Sequence, residues 1–437
     1  MLTAAGLLLR LAFLALEPSS SLAGDEHTWT IWGAQVLAGS DVAFSPVRFR
    51  LIFYPPLYPY FIGVCYALFG TLSAVKVCQA VAGTLLIPAV GRLGLRLFGR
   101  RAGLLAAGIA AFYPDLVWFS VHFWSETLFL VLLYWAFERL LVADASASRA
   151  TAALAGLLWG LAILTRETAL YFTPLAALWL AWRRTREGAL PRAAAFLLTA
   201  TLAVAPWTYR NWVVYRAFVP VSTAGALNLW QGNAGLPRQE VYDLYAAVHG
   251  RIEKYRYARQ RGLAAIWSRQ PGWLFEKLRD EMPLFWEADS LALVHIRRGA
   301  YGPVSRAEGT ATALVVLTPY LACLALFVLG VAATRMDRAQ ALLLGFVAYY
   351  NLLHVATHGF ARYRLPVMPI VFLFAAHGLL AWRTGELRLL SGRRRAVALV
   401  VAAGLGLSVA PSLVSAWRGV GFSDEQAAPA GETAPEP

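Results

Sequence analysis

Eleven long apolar runs, spaced along almost the whole chain, constrain the fold more than any other feature of the sequence. They cover residues 2–16, 76–98, 102–120, 123–143, 151–165, 168–182, 193–207, 312–333, 340–357, 366–382 and 396–414. About 17–25 mostly apolar residues cross a bilayer as one helix. Hydrophobic residues make up 59% of the 437 residues and charged residues only 15%, and a soluble protein of this composition would expose large apolar patches. The sequence therefore predicts an all-α integral membrane protein, a bundle of about eleven transmembrane helices.

Arginine residues follow every even-numbered run and are scarce after the odd-numbered runs. The even-numbered exits carry Arg96, Arg100, Arg101, Arg149, Arg183, Arg184, Arg186, Arg192, Arg335, Arg338, Arg383, Arg388, Arg393, Arg394 and Arg395. Because short cytoplasmic loops are rich in Lys and Arg, we place the N-terminus in the cytoplasm and the C-terminus outside an inner (plasma) membrane. The net charge of +14 then reflects topology and contact with anionic membrane lipids, and no nucleic-acid partner is predicted.

The runs and the polar segments between them divide the chain into four parts. Residues 1–207 form an N-terminal transmembrane module whose first outer loop is 17–75, and 208–311 form a small, mostly helical outer domain. Residues 312–414 are the C-terminal transmembrane helices, and 415–437 are an acidic, Pro- and Ala-rich tail that is predicted to be disordered. Ser21-Leu22-Ala23 resembles a signal-peptidase site, but no basic segment precedes it and an uncleaved first helix is favoured.

Shorter helices are predicted in the two outer segments. Residues 27–39 place Trp29, Trp32 and Val36 on one face, which is typical of a helix that lies in the membrane interface. Residues 56–70 are apolar but short, and we predict a juxtamembrane or re-entrant helix there because a crossing would spoil the charge alternation. In the outer domain, 239–269 and 273–286 are predicted to be helical, with Pro271 between them.

Acidic residues at the outer ends of the runs are the first candidates for chemistry. Asp25 and Glu26 are adjacent acids near the membrane surface, where a carboxylate acts as a general base on an acceptor hydroxyl or amine. The alternative is that Asp25 only caps the following helix. Glu126 begins the fourth run and is a candidate ligand for a sugar hydroxyl, a metal or an acceptor. Its alternative is an acid that is favoured by the helix dipole.

Basic and polar residues at the same outer ends are candidates for phosphate and sugar binding. Arg166 lies in a short turn, where it binds a phosphate or forms a charge pair with Glu167. Arg210 at the end of the seventh run is a second phosphate candidate. Asn228–Asn233 is either a sugar pocket or a set of interfacial and turn residues.

The tenth run begins with a further group of polar residues. Arg362, Tyr363 and Arg364 either hold a lipid phosphate or anchor the helix in the headgroups. His354 and His358 share a helix face without further ligands, so no metal site is predicted there. The sequence has no P-loop, nucleophile elbow or dinucleotide fingerprint, which excludes the usual soluble nucleotide sites.

Taken in order, these segments resemble the GT-C superfamily of membrane glycosyltransferases. The closest resemblance is to the bacterial branch related to dolichyl-phosphate-mannose protein mannosyltransferases and to aminoarabinose lipid A transferase (families 39 and 83). The matching strings are GDEHTWTIWGAQVLAG, YPPLYPYFIGVCYALFG, RLFGRRAGLLAAGIAAFYP, FWSETLF, GLLWGLAILTRETAL, APWTYRNWVVYRAFVPVSTAGALNLWQGN and HGFARYRLPVMPIV. They extend over roughly residues 5–382.

The resemblance implies a GT-C-like fold with its active site on the outer face. It implies a polyprenyl-phosphate-sugar donor, inversion at the anomeric carbon, and a lipid, glycan or protein acceptor in the cell envelope. An acid of the first outer loop is the base in such proteins, which corresponds to Asp25 with Glu26 as its neighbour. Basic positions for the donor phosphate correspond to Arg166, Arg210, Arg362 and Arg364, and Glu126 corresponds to an acidic position. No cofactor is required with certainty, and a divalent metal is left open.

The chain departs from the family in two places. His27 and Trp29 stand near a position where the family often has a tyrosine, and the 208–311 domain is not obviously shared, so it is expected to set the acceptor. Two rival functions remain. A transporter or lipid-linked-sugar flippase would explain the helices and charges, but paired repeats with matching broken helices are not evident in the sequence. The other rival is a non-catalytic assembly factor of envelope polysaccharide synthesis.

Overall fold

A computed structural model describes residues 1–17, 22, 25–37, 52–182 and 188–417 of the chain. Regular structure in these residues consists of α-helices and short 3-10 helices, and strands do not occur among them. This confirms the predicted all-α class. The predicted disordered tail and the segment around Ser21-Leu22-Ala23 lie mostly outside the described residues.

Twenty α-helices follow one another along the described chain. The first eleven are α1 (Leu2–Leu16), α2 (Asp25–Leu37), α3 (Leu57–Phe69), α4 (Leu72–Thr84), α5 (Leu86–Phe98), α6 (Arg100–Phe112), α7 (Pro114–Phe119), α8 (Glu126–Ser146), α9 (Arg149–Thr165), α10 (Thr173–Ala181) and α11 (Ala189–Tyr215). The others are α12 (Ala224–Gln231), α13 (Arg238–Ala246), α14 (Arg251–Ser268), α15 (Trp273–Trp286), α16 (Leu291–Arg297), α17 (Arg306–Ala333), α18 (Arg338–Ala356), α19 (Met368–Arg383) and α20 (Gly392–Trp417). The 3-10 helices are Glu167–Phe172, Ala361–Val367 and Glu386–Leu389.

Each predicted apolar run coincides with one helix or with two consecutive ones. Prolines explain the divided runs, because proline lacks an N–H and its ring clashes with the carbonyl four residues earlier. Pro88 stands four residues after Thr84, where α4 ends. Pro114 begins α7, directly after Tyr113, which caps α6.

Six helical stretches in the described chain are long and apolar enough to cross a membrane. They are Leu72–Phe98, Ala189–Tyr215, Arg306–Ala333, Arg338–Ala356, Ala361–Arg383 and Gly392–Leu413. Three shorter apolar helices accompany them, Leu2–Leu16, Leu57–Phe69 and Arg149–Thr165. The second of these coincides with the predicted juxtamembrane segment 56–70. The chain is therefore a multi-pass membrane protein.

Connections that the charge pattern assigns to the same side of the membrane lie together in the structure. At one end of the bundle, the Arg338 guanidinium is 3.6 Å from Asp144, and the rings of Phe98 and His377 stack 4.5 Å apart. We call this the Arg338 end. At the other end, which we call the Asp25 end, Asp25 meets Arg362, and the connections that carry Glu126, Arg166 and His295 converge there.

Glycine allows the closest helix contacts in the core. A Cβ on Gly156 of α9 would lie 2.1 Å from the carbonyl oxygen of Phe196 in α11, and Gly160 makes a similar approach to Ala200. The G-x-x-x-G spacing of these glycines therefore lets two helix backbones touch. In the same way, a Cβ on Gly378 of α19 would lie 2.2 Å from the Leu326 carbonyl oxygen of α17.

Five helices, α12 to α16, lie between α11 and α17, and we keep the predicted name outer domain as a label for this segment, residues 208–311. The prediction of a single helix over 239–269 was wrong, because the structure has α13 and α14 separated by a turn. Gly250 in that turn has a φ of +87°, a backbone conformation that glycine adopts without strain and that a continuous helix excludes. The helix predicted over 273–286 is confirmed as α15.

Candidate active site

Asp25 and Arg362 form an ion pair at the Asp25 end, although they are separated by 337 positions in the sequence. Asp25 is the first residue of α2, and Arg362 lies in the 3-10 helix that precedes α19. The Arg362 Nη1 donates to Asp25 Oδ2 at 3.2 Å. The Asp25 side chain is 36% exposed and that of Arg362 is 19% exposed. A carboxylate that is both accessible and held by a guanidinium suits contact with a ligand.

Two aromatic rings hold the Arg362 guanidinium in place. Its central carbon lies 4.8 Å from the ring centre of Trp124 and 5.2 Å from that of Tyr363. The face of an aromatic ring attracts a cation electrostatically, most strongly where water is excluded. The guanidinium is therefore oriented before any ligand arrives.

Glu126 and Arg166 form a second ion pair beside the first. Arg166 Nη1 is 2.9 Å from Glu126 Oε1 and donates to Ser125 Oγ at 3.2 Å. Glu126 begins α8, where the dipole of the helix favours an acid, and its side chain is only 1% exposed. The charges of Glu126 and Arg166 both act on Arg362, so the two pairs form one cluster. We call Asp25, Glu126, Arg166 and Arg362 the Asp25 cluster.

Several polar atoms of this cluster are buried without a hydrogen bond. Among the described residues, both carboxylate oxygens of Glu126 and the Nε atoms of Arg166 and Arg362 have no hydrogen-bond partner. The Glu126–Arg166 pair has the distance of a hydrogen bond but not its direction. Since buried polar groups in native proteins are almost always satisfied by protein or water, these atoms indicate a site that a polar ligand or water completes.

Glu26 lies inside the protein, unlike its neighbour Asp25. Its side chain is 1% exposed, and its Oε1 accepts a hydrogen bond from the Phe123 amide at 2.9 Å. This bond ties the first turn of α2 to the segment that carries Trp124 and Ser125. Through this bond, Glu26 holds the start of α2, and with it Asp25, next to the cluster.

Two arginines that were predicted to bind phosphate make other contacts. Arg364 donates to the carbonyl oxygens of Glu287, at 2.8 Å, and Asp289, and its guanidinium packs 4.0 Å from the Tyr320 ring centre. These contacts join the 3-10 helix before α19 to the outer domain and to α17.

Arg210 donates to the Asn211 side chain at 3.0 Å and lies 4.6 Å from the ring centre of Trp207. Tyr215 is a second ring in its surroundings, at 5.3 Å. These contacts lie near the end of α11. The other predicted binding residues lie in the Asp25 cluster (Arg166, Arg362 and Glu126) or contact it (Tyr363).

Tyr54 borders the site, although it was not among the predicted site residues. The phenol interacts electrostatically with Asp25 and Arg362, and burial, followed by the charge of Asp25, holds the pKa of Tyr54 well above its usual range. Its ring also packs 4.9 Å from that of Trp29. The signal was present in the Tyr54-Pro55-Pro56 string, where two prolines fix the backbone after an aromatic residue.

His295 of α16 is a second neighbour that the sequence did not suggest. Its ring packs edge-on against Trp118, 5.1 Å away, and interacts electrostatically with Asp25 and Arg362. Burial, with His122 and Arg298 as further causes, lowers the pKa of His295 to about 4. The imidazole is therefore neutral at pH 7.

In the Asn228–Asn233 segment, a candidate sugar pocket, Trp230 and Asn233 are buried, whereas Asn228 is exposed. Trp230 packs edge-on against Tyr257, and the Asn233 amide donates to the carbonyl oxygens of Leu229 and Ala356. His354 is likewise buried, against the ring of Tyr350.

The donor set does not fit a resident divalent metal. The described part of the chain has no group of three His, Cys, Asp or Glu side chains that would hold one. The Asp25 cluster has two carboxylates, Asp25 and Glu126, and each of them already faces a guanidinium. Divalent cations need several oxygen or nitrogen ligands.

Comparison with known proteins supports the same assignment of fold. Residues 54–209 match the family model of dolichyl-phosphate-mannose-protein mannosyltransferases. No curated protein sequence matches the chain. A structure of the oligosaccharyltransferase AglB from Archaeoglobus fulgidus, in complex with an inhibitory peptide and a dolichol-phosphate, is 16% identical with a TM-score of 0.52. The match covers 97% of this chain and 56% of AglB, so the chain spans little more than half the length of that protein.

The apo form of the same oligosaccharyltransferase gives a TM-score of 0.51 at 16% identity, over 97% of this chain and 56% of that one. ArnT from Cupriavidus metallidurans bound to undecaprenyl phosphate is 16% identical over 88% of this chain and 77% of its own, with a TM-score of 0.41. AglB and the mannosyltransferases of the matched family are glycosyltransferases of the GT-C type, so the predicted resemblance is confirmed at the level of fold.

Proposed function

Because the chain has the fold of the GT-C membrane glycosyltransferases, we propose that it transfers a sugar from a polyprenyl-phosphate donor at the Asp25 cluster. The observation that carries the proposal is the convergence of Asp25, Glu126, Arg166 and Arg362 at one end of a membrane bundle. Buried carboxylate and guanidinium atoms in this cluster lack partners among the described residues. A phosphate-bearing, hydroxyl-rich ligand supplies the acceptors and donors that these atoms need.

Arg362 and Arg166 are the residues that we expect to bind the donor phosphate. Arginine presents a planar fork of donors that matches two phosphate oxygens. Arg362 is held by two rings and remains 19% exposed, so its free edge is available to a ligand at the membrane boundary. The AglB structure that resembles this chain contains a dolichol-phosphate, which supports an isoprenoid phosphate as the ligand here.

Asp25 is the residue that we expect to act on the acceptor. In the proposed reaction, the Asp25 carboxylate takes the proton of an acceptor hydroxyl or amine while that group forms a bond to the anomeric carbon. The bond from this carbon to the phosphate oxygen breaks on the opposite face, and its electron pair stays with the polyprenyl phosphate. The configuration is inverted. Arg362 and Arg166 stabilise the negative charge that develops on the leaving phosphate.

No step is assigned to a metal, because the residues at the cluster do not provide the ligands for one. Tyr363 and Trp124 orient Arg362. Glu126 holds Arg166, and we expect its two buried oxygens, which lack hydrogen bonds among the described residues, to accept from sugar hydroxyl groups.

The membrane orientation of this site is part of the proposal. The arginine clusters after the even-numbered runs place the Arg338 end in the cytoplasm of an inner membrane, which puts the Asp25 cluster on the periplasmic or outer face. The acceptor is then an envelope glycolipid, polysaccharide or protein. Its chemistry is set by the outer domain, because α13 and α16 lie next to the cluster through Arg238 and His295.

Glycan profiling of a strain that lacks the chain tests this function. Glycolipids, polysaccharides and glycoproteins are compared by mass spectrometry in the deletion strain and in strains complemented with the wild type, Asp25→Asn or Asp280→Asn. Asp280 is a matched control, because it is an exposed acid that forms an ion pair with its exposed neighbour Arg279.

We expect the deletion to remove one sugar residue from an envelope molecule. The wild type and Asp280→Asn restore it, whereas Asp25→Asn is inserted at normal levels and does not. Full restoration by Asp25→Asn would reject the assignment. An unchanged glycan profile together with loss of transport of an intact glycolipid would favour the flippase.

A further inference from the structure

The loop that leads into Arg362 is held by the outer domain. Residues 357–360 connect α18 to the 3-10 helix that carries Arg362. The loop is too short to have secondary structure of its own. Its backbone groups bond instead to residues of α15, and the end of α18 just before it bonds to the turn after α12. Because the loop is fixed in this way, the position of the outer domain determines the position of the Arg362 guanidinium that follows the loop.

Glu281 of α15 makes the first of these contacts. Its Oε2 accepts a hydrogen bond from the Gly359 amide at 2.7 Å, and His358 Nδ1 lies 3.5 Å from the same oxygen. The backbones are so close that a Cβ on Gly359 would stand 2.3 Å from the Glu281 carbonyl oxygen. Only glycine fits at this point, so the loop and α15 are in direct backbone contact.

Lys277 makes the second contact, one helical turn before Glu281. Its Nζ donates to the Gly232 carbonyl oxygen at 2.6 Å, to the Thr357 carbonyl oxygen at 3.4 Å and to Glu281 Oε1 at 2.9 Å. The lysine is 3% exposed. A single ammonium therefore joins the end of α12, the loop before Arg362 and the acid of α15.

Asn233 extends the same network on the other side of Gly232. Its amide donates to the Ala356 carbonyl oxygen at 2.9 Å, and its Oδ1 accepts from Trp273 Nε1 at 2.8 Å. The Arg269 guanidinium donates to the Asn233 carbonyl oxygen at 2.9 Å. Asn233 therefore links the end of α18 to Trp273 of α15 and to Arg269, the residue that follows α14.

Lys277 and Glu281 each stabilise the charged form of the other. Burial lowers the pKa of Lys277 in spite of the opposing effect of Glu281. Burial alone would raise the pKa of Glu281, but hydrogen bonds from His358, the Gly359 amide and Lys277 outweigh it and lower that pKa. The carboxylate of Glu281 therefore stays ionised as an acceptor for the loop amide at neutral pH.

We propose that Lys277 and Glu281 are positioning residues that fix the 357–360 loop, and through it Arg362, for binding of the donor phosphate. The inference rests on the proposed function, since it takes Arg362 as the phosphate ligand. It gives the outer domain a role beyond recognition of the acceptor. A movement of α15 would shift the Arg362 guanidinium. The affinity for the lipid phosphate therefore depends on residues that do not touch the lipid.

A purely structural role is the competing explanation, and affinity for the lipid phosphate separates the two. The probe is a short-chain polyprenyl phosphate, whose binding to the purified full-length chain is measured by native mass spectrometry in detergent. The variants are Glu281→Ala, Glu281→Gln, Arg362→Ala and the Glu281→Ala/Arg362→Ala double variant. Asp280→Ala is the matched control, because it removes an exposed acid from the same turn of α15.

We expect Glu281→Ala to weaken binding about tenfold, which is the order of the loss of one hydrogen bond to a charged group. Glu281→Gln keeps an acceptor oxygen for the Gly359 amide and is expected to weaken binding only about threefold. Asp280→Ala leaves the dissociation constant within about twofold. In the Arg362→Ala background, Glu281→Ala changes the dissociation constant by less than about twofold, because coupled residues are not additive.

Equal dissociation constants for the wild type and both Glu281 variants, all folded, would overturn the inference. An additive effect in the double variant would overturn it as well, since Glu281 would then not act through Arg362. A wild type that does not bind the lipid phosphate contradicts the inference and the proposed donor together. A wild type that binds it, is weakened by Glu281→Ala and transfers no sugar would reject the proposed function and retain the positioning role.

Discussion

The chain has two clusters of acids and arginines along α8, and they differ in how completely their charges are satisfied. One is the Asp25 cluster, which includes Glu126 at the start of α8. The other, which we call the Glu138 cluster, consists of Glu138, Arg92, Arg96 and Arg139. Glu126 and Glu138 are twelve residues apart on the same helix, about 18 Å along its axis.

Glu138 has a partner for each of its oxygens. Its Oε1 accepts from Arg92 Nε at 3.0 Å and from Arg96 Nε at 3.3 Å, and its Oε2 accepts from Arg139. The carboxylate is fully buried, whereas the arginines are 22% to 49% exposed. Such a cluster is complete without a ligand and suits a helix anchor near the headgroups.

Glu126 shares its burial with Glu138 but not its hydrogen bonds. In the part of the chain that the structure describes, neither of its oxygens has a hydrogen-bond partner, and the Nε atoms of Arg166 and Arg362 also lack one. Identical residue types therefore serve two purposes. What distinguishes the proposed ligand site from the Glu138 cluster is the unsatisfied hydrogen-bonding capacity and not the presence of buried charge.

Replacement of Arg362 by alanine is expected to have the largest effect on transfer. Loss of a donor that stabilises developing charge lowers kcat/KM by about 100- to 1,000-fold. The assay is sugar transfer by the purified chain in lipid nanodiscs with the donor and acceptor that the glycan profiles identify. The matched control is Arg92→Ala in the Glu138 cluster, and equal losses in both variants would remove the distinction between the two clusters.

Replacement of Glu126 by glutamine is expected to have the next largest effect. The amide keeps the shape but no longer holds Arg166 by charge, so kcat/KM falls by about tenfold to 100-fold. The midpoint of thermal unfolding should change little, because the carboxylate oxygens form no hydrogen bond with the described residues. A large fall in the thermal midpoint with unchanged transfer would show that Glu126 is a structural residue.

The same substitution at Glu138 is expected to give the opposite result. Transfer stays within about twofold of the wild type. The free energy of unfolding falls by about 1–2 kcal/mol, because three arginines lose a buried partner but can turn to solvent. Thermal unfolding in detergent, followed by tryptophan fluorescence, measures this change. Loss of transfer in folded Glu138→Gln would contradict the account.

Replacement of Arg92 by glutamine should have the smallest effect. Its side chain is 49% exposed, and Arg96 and Arg139 remain to bind Glu138. We expect a change in the free energy of unfolding below about 1 kcal/mol, with transfer unchanged. Comparison with Glu138→Gln by the same fluorescence assay then shows whether the acid or a single arginine dominates the cluster.

The sequence predicted the helices and the separation of the two ends well. Apolar runs and the arginine pattern are local signals, so 151–165 or 312–333 could be assigned without the rest of the chain. The division of runs at Pro88 and Pro114 was visible in principle, because proline has the same effect in every helix. Gly250 was harder, since its left-handed backbone is not specified by its identity alone.

The composition of the site was only partly predictable. Asp25 and Arg362 were both candidates, but their contact joins segments 337 positions apart, and no local pattern encodes it. Arg364 stands two residues from Arg362 and looked equivalent, yet the 3-10 helix directs it to the carbonyl oxygens of Glu287 and Asp289. Trp124 was not among the predicted site residues, because its contact with Arg362 exists only in the folded chain.

The position of a bound polyprenyl phosphate tests the central claim most directly. An electron cryomicroscopy structure of the purified chain with this lipid would show where its phosphate lies. The account predicts phosphate oxygens within hydrogen-bonding distance of Arg362 and Arg166, with Asp25 next to the open side of the phosphate. A phosphate bound by Arg92, Arg96 and Arg139, with the Asp25 cluster unchanged, would contradict it.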